Sequence, residues 1–316
     1  MNMKEKNMAV EGLRGVLILC IVLYHYTFRS THYLPNPIFE NGFAAGKQIG
    51  VFGFFVLSGY FLMLSLNNTD LVSKEMLLNF IYKKINRLYW PFFVACIFIG
   101  ITTFIIPYLQ KITFSDFFSN LFLLSCFFKV NCLDGAHWYF YSMVQLSIIV
   151  PLLYYSYKNK NVILGICSLF IIAYWFVTHS FVVNKVFLFS FIIGCLLTIN
   201  RKEGLMLYFI GGLVDVYLLR QPLVLVPLIL IPFVLFYQKQ IVPYFSFLIE
   251  NSIFIYIGKY SYMWYLIHQQ FGYSLLNQFS TIVINPTIVL LVVIIITFCI
   301  SVMLQRVLDI VLGKIK

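Results

Sequence analysis

The stretch Glu11-Gly-Leu-Arg14-Gly-Val-Leu-Ile-Leu-Cys-Ile-Val-Leu-Tyr-His25 constrains this chain most. It is the first apolar run of membrane length, yet it carries a cation and an imidazole that a lipid-facing helix does not accommodate. Arg14 and His25 are 11 positions apart. At about 100° per residue an α-helix returns to within about 20° of the same face over that step, and at about 1.5 Å per residue the two sit roughly 16 Å apart along the axis. Glu11 lies one turn before Arg14 on the same face. Either Arg14 is a snorkelling anchor and His25 an interfacial residue, or the stripe faces an interior that receives it. Charged residues inside membrane segments usually take the second course and mark functional sites.

Composition settles the class. The chain is 61% hydrophobic and 10% charged, with a mean hydropathy of +0.91, whereas soluble domains are about 45–50% apolar and about 25% charged. An all-α, polytopic transmembrane helix bundle is expected, as a single membrane domain over 1–316. The net charge of +11 is read as positive-inside bias, not as nucleic-acid binding. Ten spans are placed at about 9–28, 46–66, 87–107, 137–157, 161–179, 184–199, 205–219, 222–237, 251–275 and 286–308. With the N-terminus inside, 14 of the 22 Lys and Arg residues fall in cytoplasmic segments and 6 in outer ones. The bias points to N-in, C-in and an even span count. Lys4 and Lys6 precede an apolar run, but no small-x-small cleavage site follows, so the first helix is expected to be retained. The gap at 108–136 holds an aromatic stretch from Phe114 to Phe128 that reads as a re-entrant or interfacial helix as readily as a loop.

Seven cysteines are scattered without a Cys-x-x-Cys pair, so neither a metal nor a redox site is expected. Cys20, Cys96, Cys167, Cys195 and Cys299 read as small core residues. Cys126 and Cys132 would be able to pair if their loop is extracytoplasmic.

Other motifs each allow two readings. Gly46, Gly50 and Gly53 make a small-residue face for helix packing, with Ser58 further along. The run Lys83-Lys84-Ile-Asn-Arg87 is a positive-inside anchor or a phosphate cradle; Lys84 and Arg87 are i, i+3 and face one way on a helix. Trp138, Tyr141, Ser142 and Gln145 share a face that fits an interfacial belt, but a glutamine inside a span needs a partner and turns that face inward. Ser261, Tyr265 and His268 form a second polar stripe ending in histidine, and two such stripes in one bundle point to a shared cavity.

Together these residues resemble the integral-membrane acyltransferases of acyltransferase family 3. Glu-Gly-Leu-Arg14-Gly followed by His25 is similar to the first-helix pattern of that family, Arg or Lys, ten residues, then His. Phe-Phe-Val-Leu-Ser58-Gly-Tyr is similar to its second helix. Lys84-x-x-Arg87 before Pro91 resembles its Arg-x-x-Arg element, with Lys84 keeping the charge but not the guanidinium fork. Tyr260-Ser-Tyr-Met-Trp-Tyr-Leu-Ile-His268-Gln resembles its late helix. The resemblance implies transfer of an acyl group, acetyl most often, from cytoplasmic acyl-CoA to a hydroxyl of a cell-surface glycan or lipid-linked sugar. Acyl-CoA is then a co-substrate, with no bound cofactor, and membrane lipid surrounds a multi-pass protein of the bacterial plasma membrane. His25 would be the base or an acyl carrier, Arg14 would hold anionic groups or developing charge, and Glu11 would orient Arg14. Lys84 and Arg87 would hold donor phosphates. Ser58, Trp138, Tyr141, Gln145, Ser261, Tyr265 and His268 would line the cavity. The rival class, a proton-coupled transporter or flippase of lipid-linked sugar, fits a buried Arg and His by composition. It predicts broken helices at matching positions in two halves, and Pro227 and Pro232 have no counterpart pair in the first half.

Overall fold

The computed structural model describes residues 3–30, 43–103, 105–106, 112–124, 131–177, 185–199, 201–236, 251–282 and 285–313. Among them are eleven α-helices and no strand: α1 (Met3–Ser30), α2 (Gly46–Asn67), α3 (Lys74–Thr102), α4 (Phe114–Leu121), α5 (His137–Lys158), α6 (Val162–Val177), α7 (Lys185–Leu196), α8 (Arg201–Leu219), α9 (Leu225–Phe236), α10 (Ser252–Ser280) and α11 (Pro286–Val311). On length and composition α1, α2, α3 and α11 are long and apolar enough to cross a membrane, and shorter apolar helices lie at Val162–Tyr174, Phe187–Leu196 and Pro222–Phe236. The chain divides into two units. One comprises Met1–Met63 and Asn184–Met303, the other Leu64–Val183 and Leu304–Lys316.

The first unit is built on the pair α1 and α10. Their contacts keep step, with Glu11 and Gly15 at Phe254–Gly258, His25 at His268 and Tyr26 at Gly272, so the helices run parallel. Two glycines allow the approach: a Cβ on either Gly15 or Gly258 would overlap the backbone of the other helix. Lipid tails are as apolar as leucine, so helices in a bilayer associate through such close contacts rather than through hydrophobic burial. Around the crossing Leu13, Leu17, Ile18, Ile21 and Val22 of α1, with Met263, Leu266 and Ile267 of α10, are buried. The expected glycine face of α2 is used in the same way. Gly46 meets the Cys20 carbonyl, Gly50 meets Leu17 and Ile21, and Gly53 meets Leu17, so α2 descends antiparallel to α1. Helix α11 meets α10 where Thr297 and Phe298 contact Trp264 and Phe298 also contacts Tyr256.

In the second unit Phe92 of α3 stacks on Phe140 of α5 at 3.8 Å between ring centroids and 8° between planes. Lys158 at the end of α5 pairs with Asp70 at 2.6 Å, and Asn159 Nδ2 donates to the Leu71 carbonyl at 3.2 Å.

Two expectations change, and one open alternative is decided in favour of a helix. The third helix starts at Lys74, not near 87, because Ser73 caps it by accepting the Met76 N–H at 3.2 Å. The basic run is helical, as the i, i+3 reading of Lys84 and Arg87 expects, and Pro91 and Pro151 lie inside α3 and α5. Part of the 108–136 gap is helix α4, closed by a capping box between Thr113 and Asp116. Cys167 and Cys299 are exposed rather than core residues, on outward faces of α6 and α11. Cys126 lies outside the described residues. Cys132 precedes α5 with its thiol pushed up to about 12 by burial and by the nearby Asp134, which keeps it protonated and a poor nucleophile.

Candidate active site

Low on α1, Arg14 Nη1 donates to both carboxylate oxygens of Glu11, at 3.0 and 3.1 Å. Both side chains are partly exposed, 25% and 32%. One guanidinium nitrogen is thus committed, and Nη2 and Nε have no partner among the described residues, facing outward from the pair as donors.

Eleven residues further on, His25 meets α10. Its ring lies 5.1 Å from that of His268, and its Nδ1 is 2.7 Å from Tyr273 Oη. His268 is fully buried, and its Nδ1 donates to the Tyr265 carbonyl at 2.7 Å. A carbonyl only accepts, so this bond fixes Nδ1–H and leaves Nε2 with the lone pair in the neutral ring. That Nε2 has no partner among the described residues, nor has the buried Ser261 Oγ on the same helix. The two histidine stripes read in the sequence therefore meet each other.

The pair is held from behind. Tyr26 donates to the His268 carbonyl at 2.8 Å with its oxygen 3.2 Å from Thr297 Oγ1 of α11, and Trp264 Nε1 donates to the same Thr297 oxygen at 3.1 Å. Gly272 leaves room for the Tyr26 hydroxyl. One buried threonine so locks α1, α10 and α11 at the level of the histidines. On the other side the Phe43 N–H bonds Thr27 Oγ1 at 2.9 Å and Gly46 rests on Cys20. This brings the first turn of α2, which carries Lys47, against the last turns of α1 that carry His25.

Two stripes of ionisable residues converge here in a chain whose residues 7–306 match the family described as the acyltransferase domain. This chain belongs to acyltransferase family 3. No curated protein and no solved structure matches it.

In the acyltransferase the sequence-predicted residues fall in both units. Glu11, Arg14, His25, Ser58, Ser261, Tyr265 and His268 are in the first, and Lys84, Arg87, Trp138, Tyr141 and Gln145 in the second. Ser58 is half-buried on α2. The Tyr265 ring packs 5.4 Å from that of His268. On α3, Lys84 is half-buried with Nζ 5.2 Å above the Phe80 ring, while Arg87 is exposed one turn on. Trp138 is half-buried, and Tyr141 and Gln145 are buried on α5. Tyr141 donates its hydroxyl to Asn120 Oδ1 of α4, so its polar end is spent on holding α4. Sequence reading missed Asn120, Tyr273, Thr297 and Lys47. Tyr273 is five residues past His268 and off its helical face, and no periodicity on one helix links Thr297 to Tyr26.

The acyltransferase also has a groove of about 520 Å³ walled by Leu19, Ile257, Trp264, Ile294 and Phe298. Its lining is apolar and includes none of the predicted site residues.

Proposed function

We propose that this acyltransferase moves an acyl group, acetyl in the simplest case, from cytoplasmic acyl-CoA to a hydroxyl of a cell-surface glycan or lipid-linked sugar. The supporting observation is the meeting of His25 with His268 and Tyr273, roughly 16 Å along α1 from a guanidinium held by Glu11. Ester formation needs the acceptor hydroxyl to lose its proton as its oxygen attacks the thioester carbonyl. A neutral imidazole is suited to taking that proton near pH 7. His25 is the base: the hydroxyl proton goes to the ring, a tetrahedral oxyanion forms, and the C–S bond breaks. The thiolate leaves and takes the proton back from the imidazolium. Lys47 supplies positive charge near the oxyanion. Arg14 holds anionic groups of the donor, and Lys84 and Arg87 bind its phosphates.

The parallel run of α1 and α10 supports an even number of crossings. Two parallel spans require an odd number between them, and α11 adds the return. With the charge bias this fits a multi-pass plasma-membrane protein with both termini in the cytoplasm.

The test is consumption of radiolabelled acetyl-CoA by the purified protein in detergent with glycan and lipid-linked acceptors. His25→Ala is expected to lower turnover by about 10²–10⁴-fold, the range of a general base, and Arg14→Ala to raise the donor KM. Wild-type protein that consumes no acyl-CoA, or acylation surviving in His25→Ala at normal abundance, overturns the reading.

A further inference from the structure

A neutral imidazole has one N–H and one lone pair, so the bond made by one ring nitrogen decides what the other can do. For His25 that bond is the 2.7 Å contact between Nδ1 and Tyr273 Oη. If the phenol donates, the ring proton sits on Nε2 and the outer nitrogen is no base. If Nδ1–H donates to the phenol oxygen, Nε2 carries the lone pair. The neighbouring ring has its answer built in, since His268 Nδ1–H is committed to the Tyr265 carbonyl.

We propose that Tyr273 is the positioning residue of His25: its phenol oxygen accepts the Nδ1–H and leaves Nε2 as the proton acceptor. The proposal rests on the acyltransferase reading. Two features set the phenol against Nδ1, and the charge the ring gains in the reaction sets the direction of the bond. Tyr273 and His268 lie on different flanks of α10, so the His25 ring is gripped by a ring on one side and a hydroxyl on the other. The Tyr273 and His25 rings are tilted by 58° with centroids 6.1 Å apart, which is side-on contact through the hydroxyl and not stacking. When the imidazolium forms, both ring nitrogens are donors, and a phenol oxygen already facing Nδ1 accepts the hydrogen bond from Nδ1–H without rearrangement. A phenol fixed as donor would instead face a second donor at that moment.

The decisive experiment is ¹⁵N spectroscopy of histidine-labelled wild-type protein at neutral pH, with the His25 signals assigned by their loss in His25→Ala. The expected result is a protonated Nδ1 and an unprotonated Nε2. Kinetics of Tyr273→Phe supply the second readout. Its kcat is expected to fall about 10–100-fold, as for the outer-shell partners of metal-bound histidines, with the acyl-CoA KM and the unfolding midpoint little changed. A proton on Nε2 in the wild type, or full turnover in folded Tyr273→Phe, overturns the proposal. Wild-type protein inert towards every acyl-CoA overturns the acyltransferase reading instead, and the spectrum still decides the tautomer.

Discussion

Gly258 sits on the carbonyl of Glu11 so closely that a methyl group at that position would overlap the carbonyl oxygen. The opposing atom is backbone, which has no rotamer to yield. Gly258→Ala is therefore expected to push α10 away from α1, at a cost of about 1–3 kcal/mol or more. The check is the unfolding midpoint of the purified protein alongside its turnover. Both are expected to fall, because the same displacement separates His25 from His268.

Thr297→Val keeps the shape of the side chain and removes its oxygen. Trp264 Nε1 then loses its acceptor, while Tyr26 retains the His268 carbonyl. One buried donor left unsatisfied costs about 1–3 kcal/mol. Denaturation should show that loss, and Trp264 fluorescence should shift with it.

Asn120 takes hydrogen bonds from the Leu133 N–H and the Tyr141 hydroxyl and gives them to the Asp116 and Asn131 carbonyls. Asn120→Ala leaves several buried groups unpaired at once, and a network of this kind fails as a unit. Limited proteolysis is expected to cut the variant between residues 131 and 136 at protease levels that leave the wild type intact.

If Lys84 and Arg87 bind donor phosphates, Lys84→Ala and Arg87→Ala should each raise the acyl-CoA KM by about fivefold, the scale of an exposed ionic contact. The acceptor KM should not move. Added salt should narrow the gap between wild type and variant, and a pantetheine thioester without phosphates should be insensitive to either change.

What was legible in the sequence was whatever repeats along one helix. Hydropathy runs mark the spans, and the steps Glu11–Arg14–His25 and Ser261–Tyr265–His268 mark two faces because 3.6-residue periodicity puts them there. The start of α3 was hidden because residues 74–86 are too polar to count towards a membrane span, and the Ser73 cap that sets the start leaves no mark in hydropathy. Tyr273, Thr297 and Asn120 were hidden for a different reason: each acts across helices, and no spacing within one helix encodes its partner. Tyr141 was assigned to the right face, but its hydroxyl holds Asn120.

The contact between His25 and Tyr273 joins residues 248 positions apart. On a ribosome adding about 5–20 residues per second, the first of these is made on the order of tens of seconds before the second. Through that interval α1 exists without the helix that carries the partners of His25. A nascent chain thus carries His25 without Tyr273 or His268, and, if His25 is the base, the order of synthesis keeps unfinished molecules inert.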